Sequence, residues 1–178
     1  YPDIAVELRT GHPQQLVNDV LAGDLDAALV VEPVVDPRLA TRPIFVEELV
    51  LVSAISHPRV AAPRDVKNGT LLAFEPGCPH RKRLEDWYTR DGALPERVIE
   101  VGSYHAMLGC AVAGMGVALM PRSVLRTFAA LDQLAIHKLA APLRHATTLL
   151  VWRRDARAVN VAAFAEVMLS STRPSKLV

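Results

Sequence analysis

The chain reads as an α/β protein whose helices and strands fall into two lobes, and three observations point there. Short apolar runs alternate with amphipathic helical stretches along most of the 178 residues, the pattern of a mostly parallel sheet covered by helices. A bent apolar segment, Ile44 to Ser53, is interrupted by Glu47-Glu48 and suits a strand passing from one lobe to another. Val101 to Pro121 reads as loop, helix, tight turn and buried strand, the unit around which the rest is organised.

Asp3 to Leu8 alternates, with Ile4, Val6 and Leu8 on one face, and predicts a strand. A turn over Arg9 to His12 leads to Pro13, well placed at a first helical position. Leu16, Val17, Val20 and Leu21 form the stripe of that helix, Gly23 stops it, and Ala27 to Val31 is a short buried strand. Strand, helix and strand in this order predict parallel pairing through a right-handed crossover. Glu32 to Pro43, with three prolines, reads as loop. Ile44 to Ser53 predicts two strand pieces with a bend between them, followed by a loop from His57-Pro58 and a turn-rich connection over Pro63 to Gly69.

Thr70 to Phe74 predicts a strand. After the Glu75 to His80 loop, a helix runs from about Arg81 to Arg90 with Leu84, Trp87 and Tyr88 inward. Arg97 to Val101 is the next strand. Ser103 is a natural N-cap. Met107, Leu108, Ala111 and Val112 form one apolar helical face, and Gly114 suits the left-handed residue beyond a helix end. Gly116 permits close backbone approach, Val117 to Met120 is a buried strand, and Pro121 ends it. A short helix over Ser123 to Ala129, strands at Leu134 to Leu139 and Thr147 to Trp152, and a final helix complete the chain. Asp155 is the expected cap of that helix, and Val159, Ala163, Phe164, Val167 and Met168 its inward face, with a frayed tail from Ser170. The expected organisation is lobe 1 from residues 1–48 plus 147–178 and lobe 2 from residues 49–146. Two crossing strands join them, and a cleft between the lobes is the natural ligand site.

Composition narrows the function. The chain is 51% hydrophobic and 22% charged, with net charge +1, so its overall charge makes no case for nucleic acid or a membrane surface. Two cysteines, Cys78 and Cys110, do not form a disulfide framework and suit a cytosolic protein. There is no apolar run of about 18 residues and no visible signal peptide, and the start at Tyr1-Pro2 suggests a fragment of something longer. The six histidines show no ligand spacing, so neither a metal nor a cofactor is expected. Gly114-Met115-Gly116 is part of a dinucleotide fingerprint but precedes a strand, which removes that reading. Cys78 with His80 or His105 raises a nucleophile and base. No third, orienting group accompanies them, and the favoured reading is a small loop residue and two exposed histidines.

Four stretches carry a resemblance. They are Tyr1-Pro2-Asp3 through Gly11; Leu21-Ala22-Gly23-Asp24-Leu25-Asp26-Ala27-Ala28-Leu29; Glu47 to Val52 with His57-Pro58; and Ala113-Gly114-Met115-Gly116 through Pro121. In this order and spacing the chain resembles the effector-binding domain of LysR-type transcriptional regulators, which has the type II periplasmic-binding-protein fold. The Glu75-Pro76-Gly77-Cys78 loop, with Arg81 and Leu84, is similar to a subset of that family.

The resemblance implies two Rossmann-like lobes, with the family's first strand and helix of lobe 1 absent from this chain. It implies a small effector bound between the lobes, a homodimer or homotetramer, and DNA binding only through a missing N-terminal domain. Three helices expected to start near the cleft, after Gly11-His12, after Cys78-Pro79 and at Ser103, suit an anionic effector. It carries Gly11, His12, Val31, Glu32, Gly102, Ser103 and Tyr104 as effector contacts, and Cys78 and Arg81 at a helix start complete the expected set. Many members have Ser or Thr where this chain has His12. A transport-type solute-binding protein of the same fold is the alternative, and an α/β enzyme a third; no catalytic residues are expected.

Overall fold

The computed structural model describes residues 5–141, 143–156 and 159–171. Its contacts divide the chain into two compact units, residues 1–46 with 147–178, and residues 47–146.

In unit 1, helix α1 (Pro13–Ala22) carries Pro13 in its first turn and stops at Gly23, whose φ of 89° is left-handed. Val20 is fully buried in a cluster with Ala28, Val30, Leu39 and Val151, and Leu16, Val17 and Leu21 pack against it, as the stripe predicts. Strand β1 (Ala27–Val31) follows. It pairs antiparallel with β7 (His145–Arg153), Ala27 opposite Trp152 and Val31 opposite Thr148.

Two expectations fail here for one reason. Residues 5–10 form no strand, and Val6 and Leu8 are 71% and 85% exposed. Alternation licenses a strand only where a neighbouring edge accepts its ladder bonds, and among the described residues none pairs with this segment. The parallel strand-helix-strand unit expected at the start is therefore replaced by the antiparallel β1–β7 pair.

Strand β2 (Leu39–Ala54) is one 16-residue strand, not two pieces with a bend. It begins inside the stretch read as loop, because Pro43 does not end the pairing. The unit boundary falls within β2 after Val46 and within β7 after Ala146. In unit 1 the strand order is β1-β7-β2, and in unit 2 it is β6-β2-β5-β3-β4. The last helix, α4 (Val159–Ser171), packs Val161 and Ala165 with Ile44 and Leu150, and Met168 and Leu169 adjoin them. This corrects the expected inward face: Val159 is 78% exposed, and Phe164 and Val167 are exposed too. The helix is apolar nearly all round, so periodicity alone does not choose the buried side. Asp155 faces Arg153 at 3.5 Å. Residues 157 and 158, which separate it from α4, and most of the expected frayed tail lie outside the described residues.

Unit 2 holds β3 (Thr70–Ala73), α2 (Pro79–Arg90), β4 (Arg97–Glu100), α3 (Tyr104–Val112), β5 (Val117–Pro121) and β6 (Leu134–Lys138). β3 lies between β4 and β5, parallel to both. β2 lies between β5 and β6, antiparallel to both. Met107, Leu108 and Ala111 of α3 share one cluster with Leu72, Ala118, Met120, Val50 and Val52. These strand residues alternate with Leu71, Leu119 and Leu51, so α3 covers one face of the sheet. Burying each large side chain in this way contributes roughly 1.5–3 kcal/mol. The helix expected over Ser123 to Ala129 is a 3₁₀ helix over Arg122–Thr127. In α2 the buried stripe is His80, Leu84 and Tyr88, at i, i+4 and i+8. The reading of His80 as exposed is thereby corrected: α2 starts at Pro79, so His80 lies on the helix and its inward face.

Candidate functional site

In unit 2, the parallel strands β3 and β4 each end in a loop that leads into a helix, and the N-termini of α2 and α3 lie at the same edge of the sheet. Carboxyl ends of parallel strands are where open α/β sheets bind ligands. Cys78 is the N-cap residue of α2, without a side-chain cap bond. Ser103 is the N-cap of α3, and its hydroxyl accepts from the Ala106 N–H at 3.2 Å. Gly102 and Ser103 are exposed. Both helix starts present unpaired N–H groups and a partial positive charge, a setting for a carboxylate or phosphate.

Tyr104 joins the two helix starts. Its ring meets Phe74 edge-on, centroids 4.9 Å apart at 87°, and stands 6.3 Å from the His80 ring. Burial, with smaller contributions from the charges of Cys78 and Glu47, raises the Tyr104 hydroxyl well above its ordinary pKa, so it is a neutral phenol. Burial, helped by the Arg83 charge, lowers His80 to about 4. His80 is therefore a neutral ring at pH 7, and its Nδ1 has no hydrogen-bond partner among the described residues. Arg81 donates to the Phe74 carbonyl at 3.1 Å and pairs with Glu85 at 2.8 Å and Glu100 at 3.4 Å. Its guanidinium thus ties the start of α2 to the ends of β3 and β4. Glu47 accepts from the Ser123 hydroxyl at 2.5 Å.

The structure brings Cys78, Arg81, Gly102, Ser103 and Tyr104 to this edge of unit 2. In unit 1, His12 is the N-cap of α1, its Nδ1 accepting from the Gln14 N–H at 3.3 Å. The neutral ring therefore carries its proton on Nε2, which is buried and has no partner among the described residues. Gly11 is exposed beside it. Val31 ends β1, and Glu32 extends the pairing: its N–H donates to the Thr147 carbonyl at 3.0 Å, and its carboxylate accepts from the Thr147 N–H at 3.3 Å.

Sequence reasoning missed Phe74, the inward His80 and Glu47 at the unit 2 edge. His80 was discoverable, since it shares a helical stripe with Leu84 and Tyr88. Phe74 and Glu47 come from distant segments and carry no local signal.

Two arrangements resemble catalytic pairs and lack the geometry of one. Among the described residues, no hydrogen bond joins Cys78 to His80 or His105. Ser53 and His137 form a buried pair, Oγ to Nε2 at 2.8 Å, but Nδ1 of His137 accepts from the Val60 N–H at 3.1 Å. Its Nε2 therefore carries the proton and donates to the serine, the wrong tautomer for a general base. No group of three potential metal ligands occurs among the described residues. No helix among them is long and apolar enough to cross a membrane.

Comparison with known proteins agrees with this architecture. The regulatory domain of Synechocystis PCC6803 CcmR in complex with 2-PG superposes with a TM-score of 0.83 at 19% identity, covering 98% of this chain and 86% of that one. Corynebacterium glutamicum OxyR gives 0.80 at 22% identity, covering 96% of this chain and 55% of that one. The likeness shows the fold, and this chain has the type II periplasmic-binding-like fold.

Among sequences, the Bacillus subtilis transcriptional regulator GltR is 32% identical over 155 residues, 87% of this chain and 52% of that protein. The Arthrobacter regulator SoxR is likewise 32% identical over 155 residues, 87% of this chain and 53% of that protein. The chain spans about half the length of these relatives. They are named as helix-turn-helix transcriptional regulators, not transporters or enzymes, so the transport-type and enzymatic alternatives gain no support. The family profile described as the LysR substrate binding domain matches residues 1–173, and the chain belongs to that family, the non-enzymatic ligand-binding regulatory domain of LysR-type regulators.

Proposed function

We propose that this domain senses a small anionic metabolite, and that the N-termini of α2 and α3 in unit 2 supply its anion-binding contacts. One observation carries the reading. Two helix starts meet at one sheet edge, with Tyr104 of α3 packed against Phe74 and near His80 of α2. Each start offers about half a positive charge and free N–H groups. Ser103 and Cys78 stand at the caps, with the neutral phenol of Tyr104 beside them and Arg81 set at the start of α2. The same proposal gives Gly11, His12, Val31 and Glu32 of unit 1 ligand contacts, with the Nε2–H of His12 as a donor.

In the whole protein, effector binding would favour one of two conformations by differential affinity and so bias DNA-binding segments outside this chain. A homodimer or homotetramer in the cytoplasm is the assembly this reading expects.

The test is a thermal-shift and calorimetric screen of small carboxylates and phosphates, each paired with its neutral amide or alcohol. At least one anion should raise Tm while its neutral counterpart does not. Ser103→Ala should shrink that shift and His12→Ala should do so separately. A ligand set that is neutral, or a shift that both substitutions leave untouched, would remove the reading.

A further inference from the structure

A second feature of unit 2 lies on the connection from β2 to β3, residues 55–69, away from the sheet edge described above. Two histidines hold this connection in place. His57 Nδ1 lies 2.7 Å from the Pro58 carbonyl, which only accepts, so Nδ1 carries the proton. Its Nε2 is then bare and accepts from the Lys67 N–H at 3.1 Å. His137, on β6, uses the opposite tautomer. Its Nδ1 accepts from the Val60 N–H at 3.1 Å, and its Nε2–H donates to Ser53 Oγ at 2.8 Å. The Ser53 hydroxyl in turn donates to the Ala54 carbonyl at 3.2 Å. The two rings stand edge-on, 6.1 Å apart. Every ring nitrogen is thus committed, and each histidine uses a bare nitrogen to hold one backbone N–H of the connection.

We propose that His57 and His137 form a pH-released latch, which holds the 55–69 connection against β2 and β6 while both rings are neutral and frees it when they are protonated. Protonation puts an N–H where each ring now accepts one, so the bonds to Val60 and Lys67 are replaced by two opposed donors. The groups that face His137 raise the cost. His57 and Arg59 come from the connection, Arg59 bearing a positive charge, and β2 contributes the uncharged Ser53 hydroxyl. Among the described residues no carboxylate hydrogen-bonds either ring. Burial, then His57 and Arg59, lowers the affinity of His137 for a proton.

Release has a defined structural consequence, because Val60, Pro63 and Val66 of the connection are buried while it is held. Asp65 stabilises the local turn through the Ala61 and Ala62 N–H groups, both at 2.9 Å. Those bonds keep it ionised well below the histidine range. Loss of order while Asp65 is still ionised therefore separates the histidines from this carboxylate.

The test is amide hydrogen exchange on the intact protein at pH 7.5 and 5.0, corrected for intrinsic rates. Protection at Val60 and Lys67 should fall at least tenfold at the lower pH, while Leu51 and Leu119 in the strands keep theirs. His57→Gln and His137→Asn place a non-titrating amide oxygen near each accepting nitrogen, and the double variant should hold its protection at pH 5.0. Unchanged protection in the wild type, or an equal loss in the double variant, would overturn the latch. If the variant does not fold, ring-nitrogen NMR of the wild type decides. It should show the Nδ1–H tautomer for His57 and the Nε2–H tautomer for His137 at neutral pH, and the reverse in either ring would refute the proposal.

Discussion

A Cβ placed on Gly116 would lie 2.6 Å from the Thr70 carbonyl oxygen and 3.0 Å from Thr70 Cγ2. The backbone entering β5 therefore runs against the start of β3 at a distance only glycine permits, and the parallel pairing of Leu71 with Val117 follows at once. Gly116→Ala should destabilise the protein by about 2–4 kcal/mol, read in urea or thermal unfolding, because the obstacle is backbone and cannot swing away. Gly109→Ala is the control. It lies within α3, nothing stands within 4 Å of the place its Cβ would take, and it should be neutral or stabilising by up to about 1 kcal/mol.

Ser103→Ala removes the acceptor that the Ala106 N–H uses at the start of α3. Loss of such a cap costs about 1 kcal/mol. Ser103→Asp should restore most of that stability, because aspartate caps as well and suits the positive helix end. It should nonetheless abolish the Tm shift caused by an anionic effector. A variant that is restored in stability and still responds fully would place the effector elsewhere.

His80 sets an acid limit on stability. Its ordinary pKa of 6.5 falls to about 4 in the fold, so between those values the unfolded chain binds a proton that the native state does not. Stability is therefore full above about pH 6.5 and declines as pH falls toward 4, below which this contribution is exhausted. A shift of this size corresponds to about 3 kcal/mol. Urea titrations from pH 7.5 to 4 should show the decline, and His80→Leu should flatten it. An unchanged slope in the variant would assign the proton uptake to another group.

Arg81→Ala should cost about 1–2 kcal/mol, since the guanidinium is mostly buried and bonds the Phe74 carbonyl along with Glu85 and Glu100. Arg81→Lys should recover little, because one ammonium does not reproduce the divergent donors of the fork. By contrast, Arg144→Ala breaks only a half-exposed pair with Glu48 at 3.3 Å and should change stability by less than about 1 kcal/mol. Equal losses in the two alanine variants would show that burial is not what separates them.

Residue order alone determined the helices and strands that carry their own signals. Pro13 and Gly23 bracket α1, Ser103 starts α3, and Val117 to Met120 reads as a buried strand, because caps, breakers and local periodicity act over a few residues. The family resemblance was legible for the same reason, in short motifs at fixed spacing. Tertiary structure alone decided what depends on a distant neighbour. Residues 5–8 alternate like a strand yet form none, since a ladder needs an edge to pair with. Val161 and Ala165, not Val159 and Phe164, face inward on α4, because a helix apolar on most sides takes its orientation from the surface it meets. Phe74, His80 and Tyr104 converge, and Val60 finds His137 across 77 residues of chain, only once the sheet has brought those segments together.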